Sequence, residues 1–283
     1  MNKLLRAHAD AIIESSINAV KPDEAVARAL SGKEFPGRVV LVAAGKAGWQ
    51  MAKAANDCLG DHIDAGVVVT KYDHVMGPIA NYDCYEAGHP VPDENSFRGT
   101  QAALDLVADL KPEDTVLFLL SGGGSALFEK PLVPGAVLQD VTQQLLACGA
   151  DIVEINTIRK RLSGVKGGRF AQLCAPAQVF SIVLSDILGD PLDMIASGPA
   201  YPDSSTCEQA VAIAEKYSLK LSAQVRALLD NETPKALDNE ETQVNGRVRE
   251  LCAAAAKAGL QMGDVITKVD DNDIKTMEDL TAI

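Results

Sequence analysis

The amino-acid sequence predicts an α/β protein whose core is a doubly wound parallel sheet. Apolar runs at 39–43, 67–70, 115–120 and 179–184 have the length of buried strands. Segments with helical spacing lie between them, and this alternation is typical of a parallel sheet with helices on both faces. The runs are almost continuous in valine, isoleucine and leucine, as expected for strands that are covered on both sides.

The first half of the elements follows from periodicity and from breaker residues. Pro36 and Gly37 separate an N-terminal amphipathic helix from the first strand, and the polar end of the loop 88–96 can cap a helix. The predicted order is a helix at about 3–20, the strand 39–43, a helix that Gly45–Gly48 opens and that runs to about Leu59, the strand 67–70, a short strand at about 84–86, a helix at about 97–110, and the strand 115–120.

The second half is predicted in the same way. Pro134 starts a helical region that extends to about Leu162 with a break near Gly149, and a glycine-rich turn at 163–169 precedes a helix to about Leu173. After the strand 179–184, helices are predicted at about 205–217, 222–230 and 244–257. The polar stretch 231–235 between the last two helices is predicted to be a domain boundary.

Composition narrows the class of protein. The chain has 283 residues, which favours two domains, and a net charge of −13, which argues against a nucleic-acid or anionic-membrane partner. No stretch approaches the about 20 apolar residues that span a bilayer. The N-terminus has no signal-peptide pattern, and the six cysteines are scattered as in reduced proteins. We therefore expect a cytoplasmic protein; homo-oligomer formation is left open.

Loops that contain glycine follow the carboxyl ends of three predicted strands. Ser121-Gly122-Gly123-Gly124-Ser125 follows the run 115–120, Gly45-Lys46-Ala47-Gly48 follows 39–43, and the segment 185–190 follows 179–184. Glycine lets successive amide groups point at one anion, and a lysine at a helix N-terminus adds positive charge. Ligands of such sheets bind beyond the carboxyl ends of the strands. The pattern predicts a site for a phosphorylated ligand, although a tight turn or a flexible connection would also explain these glycines.

Charged residues lie next to these loops. Five cations and no acid occur within 159–169, namely Arg159, Lys160, Arg161, Lys166 and Arg169. They favour phosphate or carboxylate binding, with a solvated helix face as the alternative. Asp186, Asp190 and Asp193 form an acidic group after the strand 179–184 and offer the hard oxygen ligands that a Mg²⁺–nucleotide complex needs. Helix capping and turn formation are the alternative. His89 lies between Gly88 and Pro90. It could act as an acid–base group near neutral pH, or it could have only a structural role in the loop.

The motifs, taken in order, resemble those of class II glycerate 2-kinases, some of whose members are labelled hydroxypyruvate reductase. The resemblance covers about residues 1–257 and rests on the segments 44–48, 88–93, 121–127, 156–160, 163–168 and 185–199. It implies a Rossmann-like N-terminal domain, a second α/β domain and a site in the cleft between them. It also implies transfer of the γ-phosphoryl group of ATP to D-glycerate with Mg²⁺, and 2-phosphoglycerate is the product we expect.

The resemblance also implies roles for individual residues. Lys46, Arg159 and Asp186 are the expected catalytic groups, and Asp186 and Asp190 are the expected metal ligands. The expected nucleotide-binding residues are Ser121, Gly122, Gly123, Gly124, Ser125, Lys160, Lys166, Gly167 and Gly168.

The C-terminal part departs from this pattern. The expected organisation is a Rossmann-like domain at 1–232, the truncated start of a second domain at 233–257, and a fragment at 258–283 that resembles the second half of a PDZ domain. Two alternatives to the kinase are kept. The first is an NAD(P)H-dependent hydroxypyruvate reductase, although only Gly45 and Gly48 of the G-x-G-x-x-G fingerprint are present. The second is a remnant that binds ligand without turnover.

Overall fold

The computed structural model describes residues 3–185 and 191–260, and the backbone of 268–269 and 272–273; of residues 3–5 it likewise describes only the backbone. Two compact units are present. One comprises Val20–Val248 and contains the six-stranded sheet. The other includes the helix Lys3–Ala19 and nearly all of the helix Val248–Ala258. None of the described helices has the length and apolar character needed to cross a membrane.

The described helices are α1 Lys3–Ala19, α2 Pro22–Leu30, α3 Gly48–Leu59, α4 Glu94–Val107, α5 Gly124–Leu127, α6 Gly135–Ala147, α7 Ile152–Arg161, α8 Arg169–Cys174, α9 Cys207–Lys216, α10 Ala223–Leu229 and α11 Val248–Ala258. The described strands are β1 Val39–Ala44, β2 Ile63–Lys71, β3 Tyr82–Ala87, β4 Thr115–Leu120, β5 Gln178–Leu184, β6 Glu240–Asn245, β7 Lys268–Val269 and β8 Asn272–Asp273.

The main sheet confirms the predicted fold class. Within the described residues its six strands are all parallel, in the order β3-β2-β1-β4-β5-β6. The chain order reverses between β1 and β4, and the helices that follow them, α3 and α5, pack on opposite faces of the sheet. In register, Ala44 at the end of β1 lies opposite Leu120 at the end of β4. The residues that follow these two strands are therefore neighbours.

Alternate residues of the strands pack on the two faces of the sheet. Val40 and Phe118 contribute to a core shared with α4 and α8, whereas Leu41 and Leu119 contribute to one shared with α2 and α3. A third apolar cluster joins α6, α7, α9 and α10. Because β1 and β4 are buried on both faces, their ends are fixed, and the loops that they carry start from a rigid base.

Some elements differ from the prediction. The prediction omitted α2 and β6, and the helix predicted from residue 244 begins at Val248, after β6 has ended. The sequence of β6, Glu-Glu-Thr-Gln-Val-Asn, has no apolar run, because this edge strand is only half-buried and pairs with one neighbour. The sheet thus continues past residue 232. The predicted domain boundaries at 232 and 257 stay predictions.

Candidate functional site

The loop after β1 packs directly on the glycine loop after β4. The Lys46 N–H donates to the Gly122 carbonyl at 2.8 Å, and the Ala47 N–H donates to Ser121 Oγ at 3.0 Å. Gly45 has φ +123, and a Cβ there would lie 2.3 Å from Ser121 Oγ. Glycine at position 45 is therefore required for the two loops to meet. The amides at the start of α3 are used to hold these loops together.

The glycine loop keeps amides that no protein group uses. Within the described residues, no hydrogen bond has the N–H of Gly122, Gly123 or Ser125 as its donor, and all three residues are partly exposed. Gly123 has φ +89, which turns the chain so that the next residues form the single turn α5. Consecutive free N–H groups around a left-handed residue form a concave anion-binding surface.

Lys46 and His89 border this loop. A Cβ built on Gly123 would lie 3.2 Å from Lys46 Cγ and 3.0 Å from His89 Cδ2, so both side chains lie against the loop. Lys46 is exposed, and its ammonium group has no ion-pair partner among the described residues. Burial, and then the charges of Lys46 and Lys71, lower the pKa of His89 below its usual value. The lowered pKa of His89 favours its neutral form, so the positive charge beside the loop comes mainly from Lys46.

Two cations support the glycine loop from behind. The Ser125 carbonyl accepts from Arg159 Nη2 at 3.0 Å and from Lys166 Nζ at 2.9 Å. Lys166 also donates to the Phe128 carbonyl at 3.0 Å, and burial lowers its pKa to about 8. The Arg159 side chain is 14% exposed and lies at the edge of the loop.

Glu129 is the counter-charge of both cations. Its fully buried carboxylate lies 3.6 Å from Arg159 Nη2 and 3.5 Å from Lys166 Nζ, and neither oxygen has a hydrogen bond within the described part of the chain. One carboxylate therefore serves two cations, and one positive charge remains at neutral pH. The buried Nε of Arg159 likewise has no partner among the described residues. The region beneath the glycine loop is electropositive although the protein as a whole is acidic.

Lys160 and Arg161 face a different cluster. Both are fully buried and bind Asp203, Lys160 through Nζ at 2.8 Å and Arg161 through Nη1 at 2.9 Å. Thr233 and Ser205 also donate to this carboxylate. Burial would raise the pKa of Asp203, but the hydrogen bond from Lys160 and the other donors lower it well below its usual value. These contacts favour a structural role for Lys160; its role as a nucleotide ligand stays a prediction.

Gly167 and Gly168 also have internal partners. Their N–H groups donate to the carbonyls of Ser197 and Gly198 at 3.0 and 2.7 Å. Both glycines have positive φ and pack closely on neighbouring groups, so they provide a tight turn. Their amides are not free for a phosphate, and the predicted ligand role of these two glycines remains untested. Lys166, next to them, is fully buried behind the loop and does not face it from the open side.

Glu129, Asn156 and Ser197 also lie at the site, and no role was predicted for them from the sequence. The Ser197 Oγ lies 3.3 Å from Ser125 Oγ and donates to Asn156 Oδ1 at 3.0 Å. Asn156 and Ser197 both lie within segments that carry the family resemblance, and that was a usable signal. Glu129 lies two residues beyond the motif segment 121–127, and only the folded structure shows that it faces Arg159 and Lys166.

The predicted metal ligands Asp186 and Asp190 lie outside the described residues. Among the residues that are described, no group of three or more histidine, cysteine, aspartate or glutamate side chains is arranged to hold a metal ion. The positions of the predicted carboxylates relative to Lys46 and the glycine loop therefore stay predictions.

A six-stranded parallel sheet with helices on both faces and a glycine loop at its switch point defines an α/β protein of the doubly wound class. The chain belongs to the family described as a domain of unknown function, DUF4147, whose model matches residues 8–230. A PDZ-domain model matches residues 253–283, which confirms the PDZ resemblance of the C-terminal end.

Relatives of the chain have names that refer to glycerate or to hydroxypyruvate. A D-glycerate 2-kinase from Thermotoga maritima is 54% identical over 89% of this chain and 61% of its own length. A relative from Agrobacterium vitis, 39% identical over 89% of the chain and 58% of its own length, has a provisional hydroxypyruvate reductase name. A crystal structure of glycerate kinase from Thermotoga maritima superimposes with a TM-score of 0.87 at 52% identity, covering 90% of this chain and 62% of that one. The chain spans about three fifths of the length of these relatives.

Proposed function

We propose that this chain binds ATP and D-glycerate and catalyses transfer of the γ-phosphoryl group to the 2-hydroxyl of glycerate. The observation that carries the proposal is the set of unused amides of Gly122, Gly123 and Ser125 beside the exposed Lys46 and the excess positive charge at Arg159. The D-glycerate 2-kinase name of the Thermotoga maritima relative supplies the substrate and the reaction.

The nucleotide phosphates are proposed to bind on the glycine loop. The free amides would donate to phosphate oxygens, and the ammonium group of Lys46 would neutralise charge on the transferred group. Transfer of a phosphoryl group depends mainly on positioning and on electrostatic stabilisation, and these residues can supply both. Neutral His89 beside the loop leaves the potential positive.

The carboxylate of glycerate is proposed to bind Arg159. The guanidinium group is held through Nη2 on the Ser125 carbonyl, and the Arg159 side chain is 14% exposed. An arginine that is fixed at one nitrogen can grip a carboxylate with its remaining donors. Such a position would put the hydroxyls of glycerate next to the glycine loop.

Mg²⁺ would supply further neutralisation of the phosphates when bound, as it does in other phosphoryl-transfer enzymes. Its proposed ligands are Asp186 and Asp190, which lie outside the described residues. The residues that are described act without it in three ways: they bind phosphate oxygens, bind the carboxylate, and hold the loop rigid from behind.

The geometry favours the kinase over a nicotinamide-dependent reductase. A reductase of this fold places the cofactor pyrophosphate on the amides at the N-terminus of the helix after β1. Here the amides of Lys46, Ala47 and Gly48 already donate to Gly122, Ser121 and Gly45. The pyrophosphate would have to displace the glycine loop.

A coupled assay of ADP release tests the proposal. The full chain with ATP, Mg²⁺ and D-glycerate should release ADP, and the full-length Thermotoga maritima relative serves as the positive control. Oxidation of NADH or NADPH by hydroxypyruvate would instead support the reductase. Binding of ATP and glycerate by calorimetry without any ADP release would indicate a ligand-binding remnant and would contradict the proposed catalysis.

A further inference from the structure

A directed chain of hydrogen bonds lies behind the Ser125 hydroxyl. Asn156 Nδ2 faces the sulfur of Met194 at 3.6 Å, so its Oδ1 is the atom that faces Ser197 at 3.0 Å. Because a carbonyl oxygen can only accept, the single proton of Ser197 goes to Asn156. The Ser197 and Ser125 oxygens are 3.3 Å apart, and Ser125 must then be the donor between them.

This direction determines what Ser125 can bind. A serine hydroxyl has one proton and two lone pairs, and the proton of Ser125 is already donated to Ser197. The Ser125 oxygen can therefore accept from a ligand but cannot donate to it. Phosphate oxygens at neutral pH are acceptors, whereas an alcohol hydroxyl is a donor. Ser125 thus suits an alcohol, and the free amides of the same loop suit a phosphate.

The backbone around Ser197 is held in an unfavourable conformation. Ala196 has φ 50 and Ser197 has φ 63, so two successive residues with side chains are left-handed. Residues with a Cβ are less stable in this conformation than in an ordinary one. Hydrogen bonds from Gly167 and Gly168 to the carbonyls of Ser197 and Gly198 maintain it, and the fully buried Ser197 stays against Ser125. Strain that the surroundings maintain in this way is typical of functional sites.

We propose that Ser125 accepts a hydrogen bond from the 2-hydroxyl of the bound 2-hydroxy acid, and that Ser197 is the positioning residue that fixes this polarity. The inference rests on the proposed function and deepens it. Arg159 contacts the carbonyl of the same Ser125, so an acid bound there through its carboxylate has its 2-hydroxyl, on the adjacent carbon, close to that serine. Asn156 cannot take up a proton, so the chain orients the hydroxyl without deprotonating it.

Calorimetry on the full chain tests the role of Ser125. The ligands are ATP, D-glycerate, 3-hydroxypropionate, which lacks the 2-hydroxyl, and lactate, which lacks the 3-hydroxyl. In the unmodified protein, 3-hydroxypropionate should bind about 2- to 10-fold more weakly than D-glycerate, the range expected for one neutral hydrogen bond. In Ser125→Ala this difference should disappear, while the difference between glycerate and lactate and the affinity for ATP should be unchanged.

Two substitutions at position 197 separate positioning from simple stability. Ser197→Ala and Ser197→Gly both remove the hydroxyl, but only glycine relieves the left-handed strain. Both substitutions should weaken D-glycerate binding by the same factor, although the Ser197→Gly protein should melt at a higher temperature than the Ser197→Ala protein. Ala196→Gly is the matched control, since it relieves strain and leaves the hydroxyl chain intact.

The outcomes are distinguishable. If the unmodified chain binds neither ATP nor D-glycerate, the proposed function fails and the role of Ser125 fails with it. If the unmodified chain binds both, but Ser125→Ala weakens glycerate and 3-hydroxypropionate equally or weakens ATP, only the inference about Ser125 is overturned. Full recovery of glycerate affinity in Ser197→Gly would overturn the positioning role of Ser197.

Discussion

Two lysines of the predicted site should respond in opposite ways when each is replaced by methionine. Lys160 is fully buried and donates to Asp203 at 2.8 Å, whereas Lys46 is exposed beside the glycine loop. Lys160→Met should therefore lower the free energy of unfolding and leave ATP binding nearly unchanged. Lys46→Met should leave stability nearly unchanged and weaken ATP binding.

The magnitudes follow from the contacts. Removing one partner from a buried ion pair costs about 3–5 kcal/mol. Asp203 keeps Arg161, Ser205 and Thr233 as donors, so the lower limit of about 3 kcal/mol applies to Lys160→Met. A hydrogen bond to a charged group contributes about 1.5–3 kcal/mol, so loss of the Lys46 ammonium group should weaken ATP about 10- to 150-fold.

Urea denaturation and calorimetry with ATP, both at pH 7, measure the two quantities on the same protein preparations. Methionine keeps the length and the apolar stem of lysine, so the comparison isolates the charge. A Lys160→Met protein that unfolds like the unmodified protein but no longer binds ATP would refute the reasoning. That result would restore Lys160 as a nucleotide ligand.

Two further predictions concern the loop and its support. Gly45→Ala should lower the free energy of unfolding by about 3 kcal/mol, because φ is +123 and the new Cβ would lie 2.3 Å from Ser121 Oγ. The control is Gly32→Ala, at φ +72 with nothing within 4 Å, which should cost only about 1 kcal/mol. Equal losses of stability in the two variants, measured by thermal melting, would contradict the loop contact. Burial lowers the Lys166 pKa from 10.5 to about 8, so the native state loses this proton before the unfolded chain does, and the Lys166 contribution to stability should rise between about pH 8 and 10.5. Glu129→Gln removes a charge that raises this pKa, so the rise should begin at a lower pH; denaturation curves that show the same pH dependence in both proteins would exclude the pairing.

Most strands of the sheet, and the glycine loop after β4, could be predicted from the sequence. Strands β1, β4 and β5 are buried on both faces, so their apolar runs are visible without any knowledge of their partners. Strand β6 was missed because a half-buried edge strand has no such run. Gly45 and Gly123 were also recognisable, since positive φ is a local requirement that few other residues satisfy.

The tertiary structure alone decided which charges are available. Arg159, Lys160 and Lys166 are equivalent in a linear reading, yet Lys160 is neutralised by Asp203, Lys166 is buried behind the loop, and Arg159 remains partly open. The availability of a charge depends on burial and on counter-ions that are distant along the chain, and neither is encoded in local pattern. Local composition therefore determined where backbone could bind an anion, and long-range packing determined which side chains could assist it.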